Sequence, residues 1–110
     1  MVLDEQRAGM VEEHLRRRGI SDSRVLAEMG VITREAFIPE AHKRDAYFDG
    51  ALPLSHGQTI SQPLMVAMSA EALRLKGDET VLEVGAGSGY QAAVLSRLAK
   101  KVYAIEIIPE

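Results

Sequence analysis

The chain has 110 residues, 46% hydrophobic and 26% charged, with no cysteine and a formal net charge of −3. That is room for one globular domain of ordinary composition. It excludes a disulfide framework and thiolate metal sites, argues against a nucleic-acid partner, and offers no apolar run suited to a membrane span or a signal peptide.

The first predicted element is a helix from Asp4 to Arg18, stopped by Gly19. It is mostly polar, with Met10, Val11 and Leu15 sharing a face. Arg16, Arg17 and Arg18 form the one basic cluster, at a helix end where cations are favoured in any case. Ser21 or Asp22 caps a second helix carrying Val25, Leu26 and Met29, ended by Gly30. Thr33 caps a short turn through Phe37, closed by Pro39. A fourth helical piece is predicted over Glu40 to Tyr47. His14 and His42 lie in this layer as lone histidines, read as surface or structural groups.

The character changes at Asp49. The stretch DGALPLSHGQTISQP is rich in Gly, Pro and Ser and reads as a loop, with a brief extended piece at Leu52 and Leu54. Chemistry tends to sit on loops held by a rigid scaffold. Ser61 is a good N-cap, and Pro63 fits the first turn of a helix running to Leu75. That helix is apolar nearly all round, so it is expected to be buried, with Met65 and Met68 as core filler and Gly77 as its stop. Thr59 and Ser61 offer hydroxyls at its start, where a carboxylate would be favoured. The local pattern leaves Ser61 with two uses, a plain cap or a ligand for an anion, and the plain cap is the commoner.

The last third reads TVLEVGAGSGYQAAVLSRLAKKVYAIE. An apolar run (Thr80–Val84), a glycine turn (Gly85, Gly87, Gly89), a helix (Tyr90–Ala99) and a second run (Val102–Ile105) make a βαβ unit with parallel strands. A strand turning directly into a helix needs backbone angles that a Cβ opposes. The turn presents amides at a helix N-terminus. Glu106 follows Gly85 by about 20 residues, where an acid can accept hydrogen bonds from ribose hydroxyls. The unit therefore suits an adenosine-containing ligand. The dinucleotide fingerprint wants a small third residue, and Tyr90 occupies that place. The form present, Glu83 followed by G-x-G-x-G, favours S-adenosyl-L-methionine over a nicotinamide dinucleotide.

Together these stretches resemble the protein-L-isoaspartate O-methyltransferase family. The resemblance rests on Tyr47 and Asp49, on Leu52-Pro53-Leu54, on Gly57 through Pro63 and on Val81 through Gln91. Arg34-Glu35-Ala36-Phe37-Ile38-Pro39 is similar to another stretch of the family. It covers the chain from about Ile20 onward, and the G-Q-T-I-S-x-P stretch is its specific part.

The resemblance implies an α/β architecture: the N-terminal half of a Rossmann-like class I S-adenosylmethionine-dependent methyltransferase fold under a helical layer. Residues 1–48 would form that layer, 49–63 the substrate loop, and 64–110 a helix plus the first βαβ cofactor unit of a single domain. Two parallel strands cannot complete a doubly wound sheet, so a truncated chain is expected. The implied reaction carries a methyl group to the free α-carboxylate of L-isoaspartyl and D-aspartyl residues in damaged proteins. The active-site serine falls on Ser61, with Thr59 beside it. The cofactor motif falls on Glu83, Gly85, Ala86, Gly87 and Gly89, and the ribose acid on Glu106. Metal has no part in it. A cytoplasmic monomer acting on isoaspartyl proteins and peptides is expected. The alternatives are another S-adenosylmethionine-dependent methyltransferase, or an inactive fragment that binds the cofactor.

Overall fold

The structure is a computed structural model that describes residues 2–53 and 59–106. The N-terminal segment is one helical run. It starts as α1 (Val2–Gly9), widens into π turns over Met10–Leu15 and tightens into a 3₁₀ turn over Arg16–Arg18. Gly19 ends it at φ 106°. The basic cluster is taken up by ion pairs: Arg16 with Glu12 (3.2 Å), Arg17 with Glu13 (3.0 Å) and Arg18 with Asp49 (2.6 Å).

Helix α2 (Ser23–Met29) is capped by Asp22, whose carboxylate accepts from the amides of Arg24 and Val25. Glu71 adds a second cap from across the core, accepting from the amides of Ser21 (2.8 Å) and Asp22 (2.9 Å). Two 3₁₀ turns follow, Arg34–Phe37 and Glu40–Asp45. Thr33 precedes the first without a side-chain capping bond.

A short antiparallel ladder pairs β1 (Leu52–Pro53) with β2 (Thr59–Ile60), in register Leu52↔Ile60 and Pro53↔Thr59. Leu54 and His56 lie outside the described residues. The loop is closed below the ladder by the Gln62 side chain, which donates to the Asp49 carboxylate at 2.8 Å. That hydrogen bond is the main reason the Asp49 carboxyl sits below its usual range, with Arg18 and His14 adding charge.

Helix α3 spans Pro63–Leu73 and differs from its predicted form in three ways. Its cap is Gln62, with no side-chain bond, and Ser61 stands just outside. It ends at Arg74, which adopts left-handed angles (φ 51°), and Gly77 comes after the stop. Only one face is buried, through Pro63, Val66, Ala67 and Ala70. Met65 and Met68 are exposed, at 53% and 50%, so they are not core filler. The small residues let α3 lie close to its neighbours, and the large ones point outward.

The last unit is β3 (Thr80–Val84), α4 (Tyr90–Ser96) and β4 (Lys101–Ile105). β3 and β4 pair in parallel from Thr80↔Lys101 to Val84↔Ile105. Val81 and Val102 turn towards the core, while Leu82, Val84, Tyr103 and Ile105 stay exposed on the opposite face. The core lies between the helices, built on Met10, Leu15, Val25, Met29, Val66, Ala70, Tyr90, Val94 and Leu95.

Tyr47 ties the helical layer together. Its hydroxyl accepts from the Arg34 amide (3.1 Å) and from Arg7 Nη1 (3.1 Å), and it donates to Glu35. Burial, then the bond to Glu35, pushes its pKa up to about 12, so the phenol stays protonated. Tyr47→Phe strips a buried amide of its acceptor. The expected loss is about 1–3 kcal/mol, read as a fall in Tm of about 4–8 °C per kcal/mol. An unchanged melt would remove Tyr47 from this role.

Candidate functional site

The glycine bend between β3 and α4 is fixed by the end of β4. The amides of Gly85 (2.7 Å) and Ala86 (3.1 Å) both donate to the Ile105 carbonyl. The Gly87 amide donates to the Glu106 carboxylate at 2.9 Å. Gly85 and Gly87 hold φ of 78° and 58°. An L side chain is strained at such angles. A Cβ on Gly85 would meet nothing within 4 Å, so that side of the bend is open. Gly89, at φ 87°, is the N-cap of α4.

A cleft of about 80 Å³ opens over this bend. Glu83, Gly85, Ala86, Gly87, Ser88, Tyr90 and Gln91 line one side, and Thr59, Ile60, Ser61 and Val66 the other. Residues some 20 positions apart in the chain therefore share one hollow: the β2 strand and the start of α3 face the strand-to-helix turn. Of the residues singled out from the sequence, Thr59, Ser61, Glu83, Gly85, Ala86 and Gly87 meet in it. Gly89 is not among the lining residues, and Glu106 reaches the bend through the Gly87 amide. Thr59 and Ser61 are both exposed.

The electrostatics on the two sides differ. Glu83 Oε1 is buried with no hydrogen-bond partner among the described residues. Burial raises the Glu83 pKa above its ordinary value. Beneath the other side lies Arg34, fully buried at 0% exposure. Its Nη2 donates to the Ser61 carbonyl (2.9 Å) and its Nε to the Ala46 carbonyl (2.5 Å). Its guanidinium carbon stands 4.9 Å from the centre of the Tyr90 ring. Burial depresses its pKa, partly offset by Tyr90. Among the described residues there is no group of three or more His, Asp or Glu able to hold a metal. No described helix is long and apolar enough to cross a membrane.

Two parts of this site escaped the sequence. Tyr90 signalled only that the dinucleotide fingerprint failed; here it is a buried lining residue, edge-on to Phe37 at 5.6 Å. Arg34 stood in a stretch similar to one of the family's, but nothing in the residues of that stretch placed it at the site.

A carboxyl whose folded pKa is raised adds stability below its unfolded pKa and loses it as pH rises through the folded one. Ionised Glu83 therefore weakens the ligand-free fold at neutral pH. Glu83→Gln is expected to raise Tm by a few degrees at pH 7, with the gain fading towards pH 4. A lower Tm at pH 7 would show that the carboxylate has a stabilising partner.

The profile of one protein family, protein-L-isoaspartate(D-aspartate) O-methyltransferase, matches residues 5–110. A protein-L-isoaspartate O-methyltransferase 2 of Anaeromyxobacter sp. is 58% identical over 105 residues, covering 96% of this chain and 43% of the relative. The protein-L-isoaspartate O-methyltransferase of Myxococcus xanthus is 53% identical over 98 residues, covering 89% and 46%. Among solved structures, one Plasmodium falciparum protein described as a protein-L-isoaspartate O-methyltransferase was crystallised in complex with S-adenosyl-L-homocysteine. It superposes with a TM-score of 0.74 at 30% identity, over 93% of this chain and 49% of that one. The chain thus spans less than half the length of these relatives, and its fold is part of the Rossmann-like methyltransferase architecture. By profile, identity and superposition alike, it belongs to the protein-L-isoaspartate(D-aspartate) O-methyltransferase family.

Proposed function

We propose that this protein carries a methyl group from S-adenosyl-L-methionine to the free α-carboxylate of L-isoaspartyl and D-aspartyl residues in damaged proteins, the first step of their repair. The observation that carries this reading is the cleft. It sets Thr59 and Ser61 against the glycine bend in a member of this family.

The residues fit the cofactor. Glu83 holds an unpartnered carboxylate oxygen in the lining, suited to a ligand that carries positive charge. The open side of Gly85 leaves room for a close approach to the backbone. Glu106 is the acid for the ribose hydroxyls, and the Gly87 amide already orients it. Gly85, Ala86, Gly87 and Gly89 supply the bend. At about 80 Å³ the cleft takes only the reacting part of such a ligand; whole sites for molecules of that size run to about 300–1,000 Å³.

When bound, the cofactor supplies an electrophilic methyl on sulfur. The carboxylate that receives it has a reference pKa near 3.5 and is ionised at neutral pH. No general base is called for, so the protein's task is alignment and exclusion of water. Ser61 and Thr59 hold the substrate carboxylate by their hydroxyls. A loose grip serves best, since strong hydrogen bonds would quieten the nucleophile. We place the reaction in the cytoplasm.

Three measurements test the proposal. An isoaspartyl peptide is expected to accept methyl from labelled S-adenosyl-L-methionine, while its normal aspartyl twin does not; equal labelling would reject the substrate. Ser61→Ala is expected to lower turnover about 10–100-fold, as misplaced reactants do, with cofactor affinity nearly unchanged. A parallel loss of both would contradict its role. Glu106→Ala is expected to weaken S-adenosylhomocysteine binding about 10-fold or more, the worth of a charge-assisted hydrogen bond. An unchanged Kd would end the ribose assignment.

A further inference from the structure

Arg34 is the most deeply buried charged residue in the described fold, at 0% exposure. Ionised groups are costly to bury unless paired. Yet none of the described ion pairs includes Arg34, and its buried Nη1 has no hydrogen-bond partner among the described residues. What it does contact is specific. Nη2 donates to the Ser61 carbonyl at 2.9 Å, Nε donates to the Ala46 carbonyl at 2.5 Å, and the guanidinium stacks over the Tyr90 ring at 4.9 Å. Ser61 and Tyr90 both line the cleft, one after β2 and the other at the start of α4. Arg34 therefore links two parts of the cleft lining, touching the backbone that carries the serine and the ring that begins α4 just past the glycine bend.

The neighbouring contacts make this span rigid. Arg34's own amide is held by Tyr47, which Arg7 and Glu35 hold in turn. Phe37, one turn on, packs edge-on against Tyr90. A planar fork with fixed donor directions can set a distance between two partners; a flexible ammonium cannot. Ser61 itself is exposed, between the end of β2 and the helix cap, and its carbonyl is held by the Arg34 fork.

We propose that Arg34 is a positioning residue for methyl transfer: its guanidinium braces Ser61 against Tyr90 and so fixes how far the serine stands from the glycine bend. The role rests on the function proposed above. It predicts that the fork geometry matters and that charge alone does not suffice.

The test compares Arg34→Lys and Arg34→Met with the unaltered protein. Steady-state methylation of an isoaspartyl peptide is measured together with the Kd of S-adenosylhomocysteine, Tm and hydrogen exchange over residues 59–65. Both variants are expected to lose about 10–100-fold in kcat, the scale on which small misplacements act. The Kd should stay within about twofold. Exchange over 59–65 should quicken at least about tenfold, with β3 and β4 unaffected. Normal kcat in Arg34→Lys would show that charge suffices and overturn the brace. Equal losses of kcat and cofactor affinity would also overturn it, as general damage to the fold. Should Arg34→Met not fold, Arg34→Lys, which keeps charge and stem, carries the test. If the unaltered protein methylates no isoaspartyl peptide, the functional reading fails separately. The exchange measurement then decides the brace, and unchanged protection over 59–65 in Arg34→Lys refutes it.

Discussion

A single carbonyl holds the site in shape. Ile105, the last residue of β4, accepts from both Gly85 and Ala86, so the parallel ladder does not stop where β3 stops. It runs on into the turn and fixes the turn's first two amides. Glu106 then takes the third, at Gly87. The bend is thus an extension of strand pairing, and its angles are set by two residues on the neighbouring strand end. Glycine makes these angles cheap, but pairing makes them unique. A bend held in this way can keep its amides fixed with no ligand present, which reduces the ordering cost of binding.

The opposite side of the cleft is fixed by different means. Thr59 sits on a two-residue ladder that could not stand alone, and Ser61 comes just after it. Their position comes from below and behind. Gln62 ties the loop's end to its beginning at Asp49, and Arg34 ties Ser61 to the helical layer. The N-terminal helices carry no reactive group in the cleft lining, yet they supply the Arg34–Tyr47–Glu35 network on which that side rests. Burying a guanidinium without a carboxylate partner is a local cost. The cation–π contact with Tyr90 and the two carbonyls offset it only in part.

Local chemistry decided what could be read from the chain in advance. The β3–α4–β4 unit was legible in its elements and order, though α4 ends at Ser96 rather than Ala99 and β4 starts at Lys101. Alternating burial, positive-φ glycines and a helix start lie within a few positions of one another there, and each rule points the same way. A cap at Ser21 or Asp22 was legible for the same reason, and Asp22 is the one that serves. Ser61 as a cap was not, because Pro63 and the backbone of Gln62 already start α3 without a hydroxyl. The burial of α3 was misjudged because its apolar residues differ in size. Ala67 and Ala70 allow close packing, whereas Met65, Met68 and Leu73 extend into solvent. Hydropathy alone does not separate the two. Arg34 was marked only as part of a family-like stretch, and its contacts lay out of reach, since they join it to partners 12 and 27 residues away.

Leu82, Val84, Tyr103 and Ile105 leave one face of the sheet in water, as Met65 and Met68 do for α3. The total accessible surface is 6539 Å², against about 6,000 Å² for a typical folded chain of this mass. The excess is about 500 Å², roughly 5% of the ~11,000 Å² that folding a chain of this mass removes from water. The heat-capacity increment of melting should therefore lie near the ordinary ~12–15 cal/mol/K per residue for 110 residues. An increment of that size curves the free energy against temperature, so this fold is expected to be most stable near ~10–20 °C and to weaken on either side.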